Sequence, residues 1–205
     1  MEFLAQIEQS GLAVWIRESP SIFAYATVLA IHTWGLALIV GLSAVVALRT
    51  LGFASGVAFL PLGSFFPLMW VGFWLNAVSG VLLLMIDARL FLTMPTFYIK
   101  LLAIALAITS LRLLRNEVLG EGSGAGKTVA SAKGKALAGA TLLFWLVGVT
   151  AGRVTAYDAY IGWETAGAVL VLGTLLLLGG QFGARVLRGG GRAERATMST
   201  FPSGR

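Results

Sequence analysis

The sequence predicts an all-α integral membrane protein: a helical bundle of five transmembrane helices with an N-terminal amphipathic helix lying in the interface. Three observations predict it. Only 12% of the 205 residues are charged, about half the share that a soluble globular protein carries, and mean hydropathy is +0.87. Five apolar stretches approach or exceed the roughly 20 residues a helix needs to cross about 30 Å of hydrocarbon at about 1.5 Å per residue. The charge is also segregated, since the five stretches contain only Lys100, Arg112, Arg115 and Glu164 among the ionised side chains.

In chain order, residues 1–18 read as the interfacial helix. Phe3, Leu4, Ile7, Gly11, Val14 and Trp15 fall on one face, while Glu2, Gln6, Gln9, Ser10 and Arg17 fall on the other, as expected of a helix lying in the interface plane. The acidic start and short apolar stretch differ from a signal peptide. Residues 19–157 form a four-helix transmembrane core with spans at 21–48, 67–86, 97–115 and 136–152. Ser19-Pro20 precedes the first span, Pro67 opens the second and Pro95 lies just before the third. Proline suits an opening turn, where its missing N–H costs nothing. The fourth span is the shortest and has room to start a turn earlier, because Ser131–Lys135 does not forbid helix. Gly120–Lys127 is a polar, glycine-rich loop. Residues 158–188 hold the fifth span, at 161–180, and 189–205 read as a disordered cytoplasmic tail.

Five spans put the termini on opposite sides. Arg49, Arg112, Arg115, Lys127, Lys133, Lys135, Arg185, Arg188, Arg192, Arg195 and Arg205 fall on one side. Arg17, Arg89, Lys100 and Arg153 fall on the other. The positive-inside rule assigns the larger group to the cytoplasm. The expectation is a bacterial inner-membrane protein with a periplasmic N-terminus and a cytoplasmic C-terminus. The net charge of +6 is thus a topology signal, and nucleic acid is not an expected partner: the basic residues lack interleaved aromatics and a binding module.

The chain has no Cys and one His. That excludes disulfides, thiolate metal sites, Cys nucleophiles, and a bis-His haem within one protomer. Gly120–Thr128 reads GEGSGAGKT, but the first glycine of a phosphate loop is replaced by Glu121 and no strand precedes it, so nucleotide is not expected either. There is no GxSxG elbow, HExxH or triad.

His32 is the most informative residue. It lies inside the first span, on a stripe with Ser21, Tyr25, Gly35, Ile39 and Ser43 that should face the bundle interior. An ionisable group within a span is by default a candidate site: an axial haem ligand, a metal ligand, a quinone hydrogen-bond donor or a proton relay. Against these stands an interhelical hydrogen bond that sets packing, to Asn76 or a hydroxyl. Asn76 shares a face of the second span with Gly72 and Gly80. Met69, Met85 and Met94 are scattered and fit core filling better than a soft metal site. At the outer face, Asp87, Arg89, Lys100, Arg153, Asp158 and Glu164 form a second constellation, level with Tyr98, Tyr157, Tyr160 and Trp163. Ion pairing, snorkelling and an aromatic belt explain most of it. Lys100 and Arg153 fit that explanation less well, because each adjoins an apolar run. Gly148-xxx-Gly152 and Ala37-xxx-Gly41 are small-residue faces suited to close helix contact.

Four stretches carry a resemblance: Ile31-His32-Thr33-Trp34-Gly35, Leu48-Arg49-Thr50-Leu51-Gly52, Phe97-Tyr98-Ile99-Lys100 and Gly152-Arg153-Val154-Thr155-Ala156-Tyr157. In order and spacing they resemble a family of uncharacterised bacterial multi-pass inner-membrane proteins. That family is distantly similar to CopD-like copper-resistance membrane domains and cytochrome b561-like bundles. The resemblance spans residues 15 to 157. By the CopD-like analogy, His32 would face a periplasmic-side metal or redox site with Lys100 and Arg153 nearby. By the b561-like analogy, haem would bridge facing helices, a pattern from which this chain departs in lacking further His.

These observations together give an accessory or structural membrane component in the lipid bilayer, working with another membrane or periplasmic protein, with an internal polar site at His32. The alternative is a redox or metal-handling protein binding haem b, quinone or copper near the periplasmic side, with His32 as metal ligand and Asn76, Lys100 and Arg153 completing the cofactor site. A small-solute transporter comes third, because neither broken spans nor an inverted repeat is evident.

Overall fold

The computed structural model describes residues 2–53, 60–120 and 130–161, together with positions 164, 167, 168, 171, 172, 174 and 175. Every regular element among the described residues is helical. In order they are α1 (Glu2–Glu8), α2 (Gly11–Glu18), α3 (Tyr25–Leu51), a 3₁₀ turn (Leu60–Ser64), α4 (Phe65–Ile86), α5 (Ala88–Phe91), α6 (Pro95–Leu119) and α7 (Ala132–Ile161). Four are long and apolar enough to cross a membrane: Tyr25–Leu51, Leu62–Ile86, Pro95–Leu119 and Ala132–Thr155. The fifth span expected at 161–180 lies for the most part outside the described residues, as does the 189–205 tail.

Helices α6 and α7 run longer than the apolar stretches that announced them, because polar residues continue each beyond its greasy centre, whereas α3 begins at Tyr25, four residues later than expected, and runs on to Leu51. Ser131–Lys135 joins α7 almost completely, starting it at Ala132. Pro95 is the first residue of α6. Helix α3 ends at Gly52, whose φ of 103° is the left-handed conformation that favours glycine. The Gly52 N–H donates to the carbonyls of Leu48 and Arg49, closing a helix end that would otherwise leave carbonyls unpaired.

The N-terminal segment is two short helices rather than one. Ser10 breaks it and caps α2, its hydroxyl accepting from the Ala13 N–H at 3.4 Å. Ala13 and Ile16 are the residues α2 buries, while Phe3 stays 71% and Trp15 47% exposed. The face turned to the bundle is therefore offset from the larger apolar residues of the sequence pattern.

Successive long helices are antiparallel. Helices α3 and α4 form one close pair, α6 and α7 another, and α3 packs on α7 to join them. The main core lies between these helices and includes Ile39, Val46, Phe66, Met69, Leu111, Leu114 and Trp145. Ile16 of α2, Val28 of α3 and Ile86 of α4 form a smaller cluster at the end of the bundle that carries α1, α2 and α5.

Candidate functional site

The α3–α4 crossing is set by two glycines in backbone contact. A Cβ on Gly35 would sit 2.6 Å from the Asn76 nitrogen and 2.7 Å from the Gly72 oxygen. One on Gly72 would meet Leu38 Cβ at 2.8 Å and the Gly35 oxygen at 2.9 Å. Helices approach this closely only where both carry small residues. The stripe through Gly35, Ile39 and Ser43 is buried as the helical period required, whereas Tyr25 at its outer end is exposed.

About one turn above this contact, His32 and Asn76 clasp each other. The Asn76 carboxamide Nδ2 donates to the His32 carbonyl at 2.8 Å. In return His32 Nδ1 lies 3.0 Å from the Asn76 carbonyl. A carbonyl only accepts, so Nδ1 carries a proton and donates. Ser79 Oγ sits 3.1 Å from the same nitrogen and donates its own proton to the Leu75 carbonyl. Asn76 Nδ2 is also 3.3 Å from both ring nitrogens. Equidistant placement aligns it with the lone pair of neither. Nε2 thus has no well-aligned partner among the described residues. Gly80 makes room for the ring, since a Cβ there would meet His32 Cε1 at 3.2 Å.

Lys100 enters the bundle from the second turn of α6. Its stem runs over Gly152 of α7, where a Cβ would be 3.4 Å from Lys100 Cδ and Cε and 3.6 Å from Nζ. Gly148, one turn along, lets α7 approach Ala103 and Ile104. The small-residue face of α7 thus does contact α6. Its counterpart on α3 does not behave so: Gly41 faces open space with nothing within 4 Å of a Cβ, and Ala37 is exposed. Of the four candidate site residues, the structure joins His32 to Asn76 and sets Lys100 against Gly152 of α7. Arg153 is exposed, and it leaves α7 about 100° round from Gly152, the face Lys100 covers.

The donor set at His32 does not fit a metal ion held by three side chains. Among the described residues no group of three His, Cys, Asp or Glu side chains comes together. Met69 is seven residues from Asn76 and Met85 five from Gly80, so helix rise alone separates them from this level by roughly 7–10 Å. Beside the clasp, an apolar groove of about 570 Å³ opens outward between α3 and α4, lined by Ile31, Trp70, Trp74, Val78 and Ser79 among others, but His32 does not line it. The buried hydroxyls of Ser43, Thr50, Thr141 and Thr155 donate to carbonyls four residues back, satisfying themselves within their own helices.

Two features escaped the sequence reading. Glu8 is buried and anchors α1 to α5: Arg89 donates to it from its backbone N–H and from Nε, each at 2.7 Å. The Arg89 backbone N–H, joined by the guanidinium and by Arg17, holds the Glu8 carboxyl below the usual glutamate range despite desolvation. Arg17 also donates to the Ile86 carbonyl at 3.1 Å, tying α2 to the end of α4. The second is the burial of Arg49, which is 3% exposed and partnered, although its position near a span end marked it as a topology signal and a motif residue rather than a core one. No family model, curated protein or solved structure matches the chain.

Proposed function

We propose that this chain is an accessory or structural component of a bacterial inner membrane, with five crossings, a periplasmic N-terminus and α1–α2 lying in the outer interface. The reading rests on one observation: the single imidazole of the chain is closed against Asn76 and Ser79 in a reciprocal side-chain-to-backbone clasp. A clasp of this kind fixes the register of two helices already touching through Gly35 and Gly72. Orientation is supported by the 11 of 15 basic residues assigned to one side. The interfacial role of α1–α2 is supported by exposed Phe3 and Trp15 beside charged neighbours. The similarity to CopD-like and b561-like bundles remains part of the proposal on the strength of the four motifs alone.

Purification in mild detergent tests the reading. A colourless preparation that co-isolates a membrane or periplasmic protein in fixed proportion is expected. A Soret band that disappears in His32→Ala would overturn it and assign His32 as ligand. A C-terminal reporter active only in the periplasm would overturn the orientation.

A second reading has one observation in its favour. A ligating histidine commonly donates its other ring N–H to a backbone carbonyl, and His32 does so through Nδ1, leaving Nε2 available. A redox partner bringing its own cofactor, or a quinol hydroxyl donating to its lone pair, could meet that nitrogen. Perturbation of the His32 ring resonances by added quinol, absent in Asn76→Ala, would favour it over the accessory reading.

A further inference from the structure

At the opposite end of the bundle, α4 and α6 do not pack closely, and a cleft of about 200 Å³ opens between them. Phe66 and Trp70 of α4 form one wall, and Arg112, Arg115 and Asn116 of α6 the other. Each guanidinium lies against a ring: Arg112 Cζ is 4.7 Å from the centroid of Trp70 and Arg115 Cζ 5.4 Å from that of Phe66. Among the described residues neither arginine joins an ion pair, although Arg17, Arg89 and Lys133 each do.

We propose that this cleft binds a phosphate ester, supplied by the headgroup of an anionic phospholipid. A guanidinium held over a ring keeps N–H donors that do not touch the ring, and its planar fork matches an oxyanion bidentately. The ring also orients the fork and removes water from one side of it. Arg112 and Arg115 are three residues apart and Asn116 follows, so all three point from one helical face into one space. The depth fits a headgroup. Arg115 lies four residues before the end of α6 at Leu119, about 6 Å of helix rise, and Phe66 lies in the first turn of α4. Basic clefts between membrane helices at this level are recognised headgroup sites. The volume is below the roughly 300 Å³ at which sites for drug-sized ligands begin, so it suits one phosphate group rather than a nucleotide.

The test uses the full chain in detergent micelles, titrated with dioleoyl phosphatidylglycerol or dioleoyl phosphatidylcholine and read by native mass spectrometry. Phosphatidylglycerol should bind at least tenfold tighter. Arg112→Gln with Arg115→Gln should abolish that preference, while Lys133→Gln with Lys135→Gln, the same charge change at the same end, should leave it within twofold. Glycerol 3-phosphate separates the sources. Failure to compete supports the lipid, whereas displacement of lipid at millimolar concentration assigns the site to a soluble phosphate ester. Equal affinity for the two lipids, or equal losses in the arginine and lysine variants, would overturn the proposal. If the double glutamine variant does not fold, Arg112→Lys with Arg115→Lys decides. It keeps the charge and loses the fork, so the preference should still fall several-fold, and an unchanged preference overturns the proposal.

Discussion

Replacing Gly35 by alanine adds one methyl group at the tightest point of the α3–α4 crossing. That carbon would lie 2.6 Å from the Asn76 nitrogen and 2.7 Å from the Gly72 oxygen, both backbone atoms that no rotamer change can move. Relief to an ordinary contact of about 3.5 Å requires the helices to part by nearly 1 Å. The clasp bonds at 2.8 and 3.0 Å would then stretch beyond hydrogen-bonding distance. Overpacking costs about 1–3 kcal/mol, and interhelical hydrogen bonds in membranes contribute on average about 0.6 kcal/mol each. A loss of about 2–4 kcal/mol follows. Gly41→Ala is the internal control, because a Cβ there meets nothing within 4 Å. Its change should stay within about 0.5 kcal/mol, or be slightly favourable from helix propensity. Reversible unfolding in mixed micelles, with increasing denaturing detergent, measures both. Equal stabilities for the two alanine variants would refute the reasoning, since it rests wholly on the difference in space at two glycines of one helix.

Three other outcomes are expected. In a double-mutant cycle of His32→Ala and Asn76→Ala, the coupling should be about 1 kcal/mol by the same unfolding assay; independent effects would mean the clasp contributes nothing to packing. Acidification should release α1. The folded state depresses the Glu8 carboxyl, so the docking it contributes is fully present above the usual glutamate range of about 4 and is lost as pH falls through the lower folded value. Amide exchange in Glu2–Glu8 should rise there in the wild type and already be raised at neutral pH in Glu8→Gln. Lys100→Met should leave stability unchanged or raise it by up to about 2 kcal/mol, because a cation half-buried in a span is costly to hold. Unfolding of that variant at lower detergent than wild type would show that the ammonium has a stabilising partner.

The existence and order of the four long helices were legible because lipid and core both demand apolar residues, and a run of them survives any rotation of the helix. The same fact hid which face points inward. Ala37 and Gly41 read as a contact face by spacing, yet they look outward, since small residues are not penalised at a lipid-facing position. His32 with Gly35, Ile39 and Ser43 was legible because a polar stripe, unlike an apolar one, has a preferred side. The partnership of Glu8 with Arg89 joins residues 81 positions apart, and no periodicity relates them. Ser10 did carry a local signal, a capping hydroxyl between two short apolar groups, but the amphipathic pattern running through it favoured one unbroken helix. The placement of Arg112 over Trp70 joins residues on two helices that do not pack closely, and no spacing in the sequence relates them.

Because the close glycine contacts lie within α3–α4 and within α6–α7, the four long described helices form two antiparallel hairpins with a seam along α3 and α7. Each hairpin is contiguous in sequence, so each has its principal internal contacts as soon as its second helix enters the bilayer. The His32–Asn76 clasp belongs wholly to the first hairpin and does not wait for the second. Lys100 arrives later, with the second hairpin, where its stem covers Gly152. Assembly therefore has an order written into it, with the polar groups of the bundle placed in two instalments.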